Sequence, residues 1–388
     1  MLAVCCATAG AGGLRVEDGR LLRNDREYAA VGINYHDAFM LVLEQRPGAV
    51  ERYERGFAFL VEAGIPFARF AACGFYPDEW KIYLERPEDY FARLDELVTS
   101  AERHGLGLVP VLFWSYFALP DAAGEPIGAW GDETSRTRGL MRRYTREVVE
   151  RYRDSPAIWA WEFGNEFINE ADLPEEVARR SWIVPDRGTP GARTAADRLT
   201  SADCHEAYAD FARLVRSLDP TRPIMTGDTA PRSSAWHLAR GKGWTPDNRQ
   251  QWLETLLAAN PAPVDTLSLH FYHPRRDGSG YPDYGVKGLS LRDHLALAAA
   301  ASREAGRPLW LGEFGPGLGE DNEDERRRQV GEFLDLIIEL RIPLSAYWVY
   351  DSPNPDLRVW NAVPGGANGF VFEMIAEANR RLQAHQDR

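Results

Sequence analysis

AIWAWEFGNE, Ala157 to Glu166, is an almost unbroken apolar run with one inner acid, Glu162, and it closes on Gly-Asn-Glu. A run of this kind is what a strand covered on both faces in a parallel sheet requires. The same pattern recurs on either side of it. Upstream lie AAVGINY (Ala29 to Tyr35), IPFARFAA (Ile65 to Ala72) and LGLVPVLFW (Leu106 to Trp114). Downstream lie RPIMTGD (Arg222 to Asp228), VDTLSLHFY (Val264 to Tyr272), RPLWLGEFG (Arg307 to Gly315) and IPLSAYWVY (Ile342 to Tyr350). Between them stand amphipathic segments such as ERYERGFAFLVEAG, YFARLDELVTSAERHG and ERRRQVGEFLDLIIEL, with apolar residues at three- and four-residue spacing. Eight strand–helix units in succession predict an α/β fold, a single (β/α)8 barrel with enlarged βα loops.

The longest of those loops follows the fourth strand, from Phe167 to about Asp203, and is rich in Pro, Gly, Asp and Arg. A second long connection, Ser352 to Gly369, follows the eighth strand, and a last helix from Phe370 to about Gln383 closes the barrel. Both loops enlarge the rim at the C-terminal ends of the strands. The barrel domain is expected over 21–388, preceded by a tail over 1–20. Its small apolar start, MLAVCCATAGAGG, fits either the remnant of an export signal, hence a secreted or periplasmic protein, or a plain tail, hence a cytoplasmic one. Four cysteines, Cys5, Cys6, Cys73 and Cys204, show no metal-ligand spacing and no disulfide framework.

With 45 Lys plus Arg against 58 Asp plus Glu, the chain carries a formal charge of −13. That balance argues against DNA or RNA as partner. No stretch is long and apolar enough to span a bilayer, and no Gly-rich phosphate loop stands at a strand-to-helix junction. Neither a cofactor nor a metal is expected, because His36, His270 and His273 lack ligand spacing.

In a barrel of this kind functional side chains sit at the C-terminal strand ends. Glu166 ends the fourth strand and Glu313 the seventh, so only barrel closure brings them together. Glycoside hydrolysis needs such a pair, one acid to protonate the leaving oxygen and one carboxylate to attack the anomeric carbon.

Asn165-Glu166 and Gly312-Glu313-Phe314-Gly315 on those two strands resemble the clan A glycoside hydrolases, family 5 (cellulases and β-mannanases) above all. The resemblance runs from about Val31 to Trp348. It implies a retaining β-glycoside hydrolase acting on β-linked glucan or mannan, with Glu166 as acid/base and Glu313 as nucleophile. It further implies that Asn165 holds the sugar 2-hydroxyl, that Arg69 keeps the nucleophile ionised, and that Tyr272 of His270-x-Tyr272 hydrogen-bonds Glu313. Trp348 would form the aromatic floor beneath the sugar. Each has a plainer reading: Arg69 as a buried ion pair with Glu162, Trp348 as a core aromatic, His270 as a satisfied core histidine.

Two departures stand out. Trp114, counted with the substrate-supporting residues, ends the third strand where many family members carry a histidine, and Phe167 replaces the proline that often follows Asn-Glu. Glu162, four residues before Glu166, is expected to point into the barrel and act structurally. Of twelve tryptophans, Trp80, Trp130, Trp182, Trp236, Trp244 and Trp360 fall in expected rim loops, where indoles stack on sugar rings. An exo-acting β-mannosidase, β-glucosidase or β-galactosidase on the same scaffold is the alternative. A catalytically idle sugar-binding barrel is a weaker one, because binding alone needs neither acid nor nucleophile.

Overall fold

A computed structural model describes residues 13–178, 181–273 and 284–386. Cys5 and Cys6 lie outside the described residues; Cys73 and Cys204 are buried free thiols. The eight apolar runs form eight strands: β4 (Ala30–Asn34), β5 (Phe67–Ala71), β6 (Gly107–Phe113), β7 (Trp161–Gly164), β8 (Ile224–Met225), β9 (Leu267–Tyr272), β10 (Leu309–Gly315) and β11 (Leu344–Tyr347). They pair in the order β8-β7-β6-β5-β4-β11-β10-β9, each neighbour parallel. This is a nearly closed (β/α)8 barrel.

The seam between β8 and β9 is joined largely by side chains. Ser268 Oγ accepts from the backbone N–H groups of Thr226 (3.1 Å) and Gly227 (3.2 Å). Asp265 Oδ1 accepts from Ile224 N at 2.7 Å, and Thr266 Oγ1 donates to Ile224 O at 2.9 Å. Buried backbone donors are thereby satisfied where the ladder stops. The stop has a local cause. Gly227 has φ +77°, and a Cβ there would lie 2.0 Å from Gly164 O, so β8 turns away after two residues.

Amphipathic helices wrap the outside, among them Ala49–Glu62, Pro87–His104, Ser201–Leu218 and Glu323–Leu340. Capping boxes start several of them: Thr200 with Asp203, Asn248 with Gln251, Ser290 with Asp293. The last helix runs from Phe370 to Gln386, three residues beyond the expected end. Among the described residues no helix is long and apolar enough to cross a membrane.

Two sequence expectations change. Residues 13–20, assigned above to a tail, belong to a small antiparallel sheet of β1 (Arg15–Glu17), β2 (Arg20–Arg23) and β3 (Arg26–Glu27). Asp18-Gly19 and Asn24-Asp25 supply the positive-φ pairs that two-residue hairpins demand. Leu21 of this sheet and Leu14 just before it pack against Phe67, Trp159 and Trp310, sealing the N-terminal end of the barrel. Trp80 and Trp130 are not rim residues. Both are buried in the main core, Trp80 stacked on Phe113 and Trp130 donating its indole N–H to Tyr116 O.

Candidate active site

Glu313 sits on β10, where the register with β9 and β11 slips around Gly312. Such a bulge re-aims the side chain beside it. Only glycine fits at 312, because a Cβ there would stand 2.6 Å from His270 Nε2. Glu166 lies just past the end of β7 in the left-handed region (φ 55°), and its N–H donates to Gly227 O at 2.9 Å. Unusual backbone at a strand end is a recurrent mark of functional residues. The two bends turn both carboxylates into one mouth.

There, ligand-type atoms of Glu166, His270 and Glu313 all lie within 4.8 Å of one another. His270 Nδ1 stands 3.0 Å from Glu166 Oε1 and 3.7 Å from Glu313 Oε1. Asn169 Nδ2 donates to Glu166 Oε2 at 2.8 Å, and Tyr272 OH donates to Glu313 Oε2 at 2.5 Å.

Arg69, fully buried on β5, ties the site together. Nη1 donates to Glu313 Oε1 (2.8 Å) and Asn34 Oδ1 (2.9 Å), Nη2 to Asn165 Oδ1 (2.9 Å), and Nε to Glu162 Oε2 (2.6 Å). Both sequence readings of Arg69 are therefore met at once. Glu162 is held on its other oxygen by the Trp310 indole at 2.8 Å, a structural acid inside the barrel. Trp114 lies 4.8 Å from the guanidinium in cation–π geometry. Half-buried Trp348 faces Trp114 (6.1 Å, 23°) and His36 (5.0 Å).

Burial pushes the Glu166 carboxyl up to about 7, against the pull of Arg69 and Asn169. Burial also raises Glu313 and the Glu166 charge adds to that, while His270, Arg69 and Tyr272 oppose it. Desolvation thus outweighs the guanidinium, which the sequence reading had expected to dominate. His270 is lowered to about 4 by burial and stays neutral near pH 7. Two close carboxyls titrate as a coupled pair. Arg69 hydrogen-bonds Glu313 and not Glu166, which favours the charge on Glu313.

The trio of Glu166, His270 and Glu313 has the spacing of a cation site. Its charge is already answered by Arg69, however, and the oxygens are engaged by Tyr272 and Asn169. All eight residues singled out from the sequence (Arg69, Trp114, Asn165, Glu166, His270, Tyr272, Glu313 and Trp348) converge here. Asn34 and Asn169 were missed. Asn34 Nδ2 donates to Gly312 O at 2.9 Å and to Tyr347 O at 3.2 Å, fastening the bulge. A polar residue within the otherwise apolar AAVGINY run was the available signal. Asn169 gave none, since a single 3-10 turn (Phe167–Asn169) brings it back to Glu166.

The model of the family described as cellulase (glycosyl hydrolase family 5) matches residues 48–352. Mannan endo-1,4-beta-mannosidase F of Aspergillus clavatus is 37% identical over 233 residues, 58% of this chain and 44% of that protein. Mannan endo-1,4-beta-mannosidase A of Podospora anserina is 28% identical over 237 residues, 58% of this chain and 50% of that protein. The chain thus spans half or less of the length of these curated relatives. A glycoside hydrolase family 5 mannosidase from Rhizomucor miehei superposes with a TM-score of 0.66 at 15% identity, over 98% of this chain and 99% of that one. At that identity the likeness is one of fold.

Proposed function

The chain belongs to glycosyl hydrolase family 5, and from that premise we propose that it hydrolyses β-linked mannan, or the related β-glucan, with retention of configuration. The observation that carries this is the convergence of Glu166 and Glu313 on one mouth, with an oxygen of each within 4.8 Å of the other, the paired carboxyls that glycoside hydrolysis requires. Retention follows from membership of a retaining family. The names of the relatives favour the manno-configured substrate.

In the first step a Glu313 oxygen attacks the anomeric carbon as the glycosidic C–O bond breaks. Glu166 gives its proton to the departing oxygen. Tyr272 and Arg69 hold the attacking carboxylate in place, and Asn165, itself oriented by Arg69, presents its amide N–H to the sugar 2-hydroxyl. In the second step Glu166, now a carboxylate, takes a proton from water as that water attacks the same carbon and releases Glu313. Trp348 supplies an apolar face for the sugar ring.

Proton NMR of the first product released from β-mannan and from β-glucan tests the proposal. The reducing end should appear first as the β anomer on at least one of them. An α anomer appearing first, or no cleavage of either polymer, would overturn it.

A further inference from the structure

The two steps ask opposite things of the Glu166 carboxyl. As acid it must hold a proton, and as base it must be free of one. Burial serves only the first, because it disfavours the charged form. The second needs a group that acts on the charged form.

Past Glu166 the chain makes a single 3-10 turn, Phe167–Asn169, in which Asn169 N donates to Glu166 O at 3.0 Å. Asp228, closing the fifth apolar run, accepts from Ile168 N at 3.1 Å and fixes the turn. The turn brings the Asn169 side chain back to Glu166. Its Nδ2 donates one hydrogen to Glu166 Oε2 and the other to Tyr284 OH, both at 2.8 Å. An amide carries two hydrogens in fixed planar directions, so the Tyr284 contact on one aims the other. Asn169 O is held in turn by Arg232. Arg232 and Tyr284 are themselves joined by an antiparallel bridge, and Gly285 N donates to Pro231 O at 3.0 Å. The loops after the fifth and sixth strands thus grip one residue of the loop after the fourth.

The other titratable groups about Glu166 come from every neighbouring strand end. His270 on β9 touches Oε1. Arg69 on β5 favours the charged form, while Glu313 on β10 disfavours it. Asp228 and Glu170 bring further acids near, and Tyr272 and Tyr284 are buried phenols that stay neutral. Among the described residues, Asn169 is the donor that reaches Oε2. An oxygen that accepts an N–H is the poorer seat for a proton, so the proton of the acid sits on Oε1. That oxygen lies on the nucleophile's side: His270 Nδ1 stands 3.0 Å from it and 3.7 Å from Glu313 Oε1.

We propose that Asn169 is the positioning residue of the acid/base: gripped by Tyr284 and Arg232, it directs the proton of Glu166 to Oε1 and steadies the carboxylate that the second step needs. The inference rests on the proposed two-step hydrolysis.

Two readouts on the whole chain separate this role from the reaction. The first is the midpoint of the Glu166 carboxyl, followed by NMR of carboxyl-labelled protein with Glu166→Gln identifying its signal; it needs no substrate. Asn169→Ala removes a donor that favours the ionised form, so the midpoint should rise by about one pH unit. Tyr284→Phe leaves the amide without its second anchor and should raise the midpoint by less. The second readout is the split between kcat and kcat/KM on p-nitrophenyl β-mannobioside, whose leaving group needs little acid. With the base misplaced the second step slows, so kcat should fall about tenfold in Asn169→Ala and kcat/KM far less. A burst of p-nitrophenol should then precede the steady rate. A raised midpoint in a chain that cleaves no glycoside would support the role of Asn169 and defeat the hydrolysis. A midpoint that stays put in both variants, or equal losses in kcat and kcat/KM, would overturn that role.

Discussion

Replacing Tyr272 by Phe removes one oxygen atom and leaves the ring, with its edge-on contact to Trp360 at 5.7 Å, in place. The oxygen donates to Glu313 Oε2 at 2.5 Å. A hydrogen bond to a charged group contributes about 1.5–3 kcal/mol. Its loss falls on the ionised form of Glu313 alone, so the carboxyl rises by about one to two pH units. The sign follows: the nucleophile must be ionised, so the acid limb of kcat/KM moves to higher pH by that amount. Well below the wild-type Glu313 midpoint the variant should therefore be slower by about 10- to 100-fold, with the deficit narrowing as pH rises through the variant's own midpoint. The assay is kcat/KM for p-nitrophenyl β-mannobioside between pH 4 and 9. A loss that is the same at every pH, or an acid limb that does not move, would refute the assignment of Tyr272 as the group that holds Glu313 charged.

Other predictions follow the same physics. Burial sets Glu166 near 7, and the reaction needs its proton, so kcat/KM on β-mannan should fall above pH 7 with an apparent pKa close to that value. With an activated aryl leaving group the alkaline fall should flatten in the first step; an identical profile on both substrates would contradict the acid role. Ser268→Ala deprives two buried backbone donors at the β8/β9 seam of their acceptor and should cost about 2–4 kcal/mol in urea unfolding, whereas a change under 0.5 kcal/mol would mean the seam is held by other contacts. Trp310→Phe strips Glu162 Oε1 of its indole donor and should lower stability by about 1–3 kcal/mol, read from the same melts.

Most of the barrel was legible because its strands are short apolar runs bounded by Gly, Pro and charge, and because side chains at strand ends are few. β8 shrank to two residues for a reason composition hides: Gly227 must approach the backbone of Gly164. The rim was harder to read. Trp80 and Trp182 both stand in βα loops in the sequence, yet one is buried against Phe113 and Tyr144 and the other is exposed. Indoles serve either purpose, and only the path of the loop decides. The hairpins of β1–β3 were overlooked because Asp18-Gly19 sits among charged residues with little alternation. Glu166 and Glu313 could be picked out by position, but the left-handed turn and the bulge that aim them were not visible, nor was Asn169.

The central claim is that Glu166 and Glu313 are separate chemical parts, one giving a proton and one forming a covalent bond. Azide rescue tests it most directly, on p-nitrophenyl β-mannobioside, whose leaving group needs little protonation. Glu166→Ala should still form the glycosyl-enzyme, and azide, entering the space left by the carboxyl, should speed turnover and yield a β-glycosyl azide. Glu313→Ala should form no covalent intermediate and give no β-azide. A β-glycosyl azide from the Glu313 variant, or a Glu166 variant equally slow on good and poor leaving groups, would contradict the account.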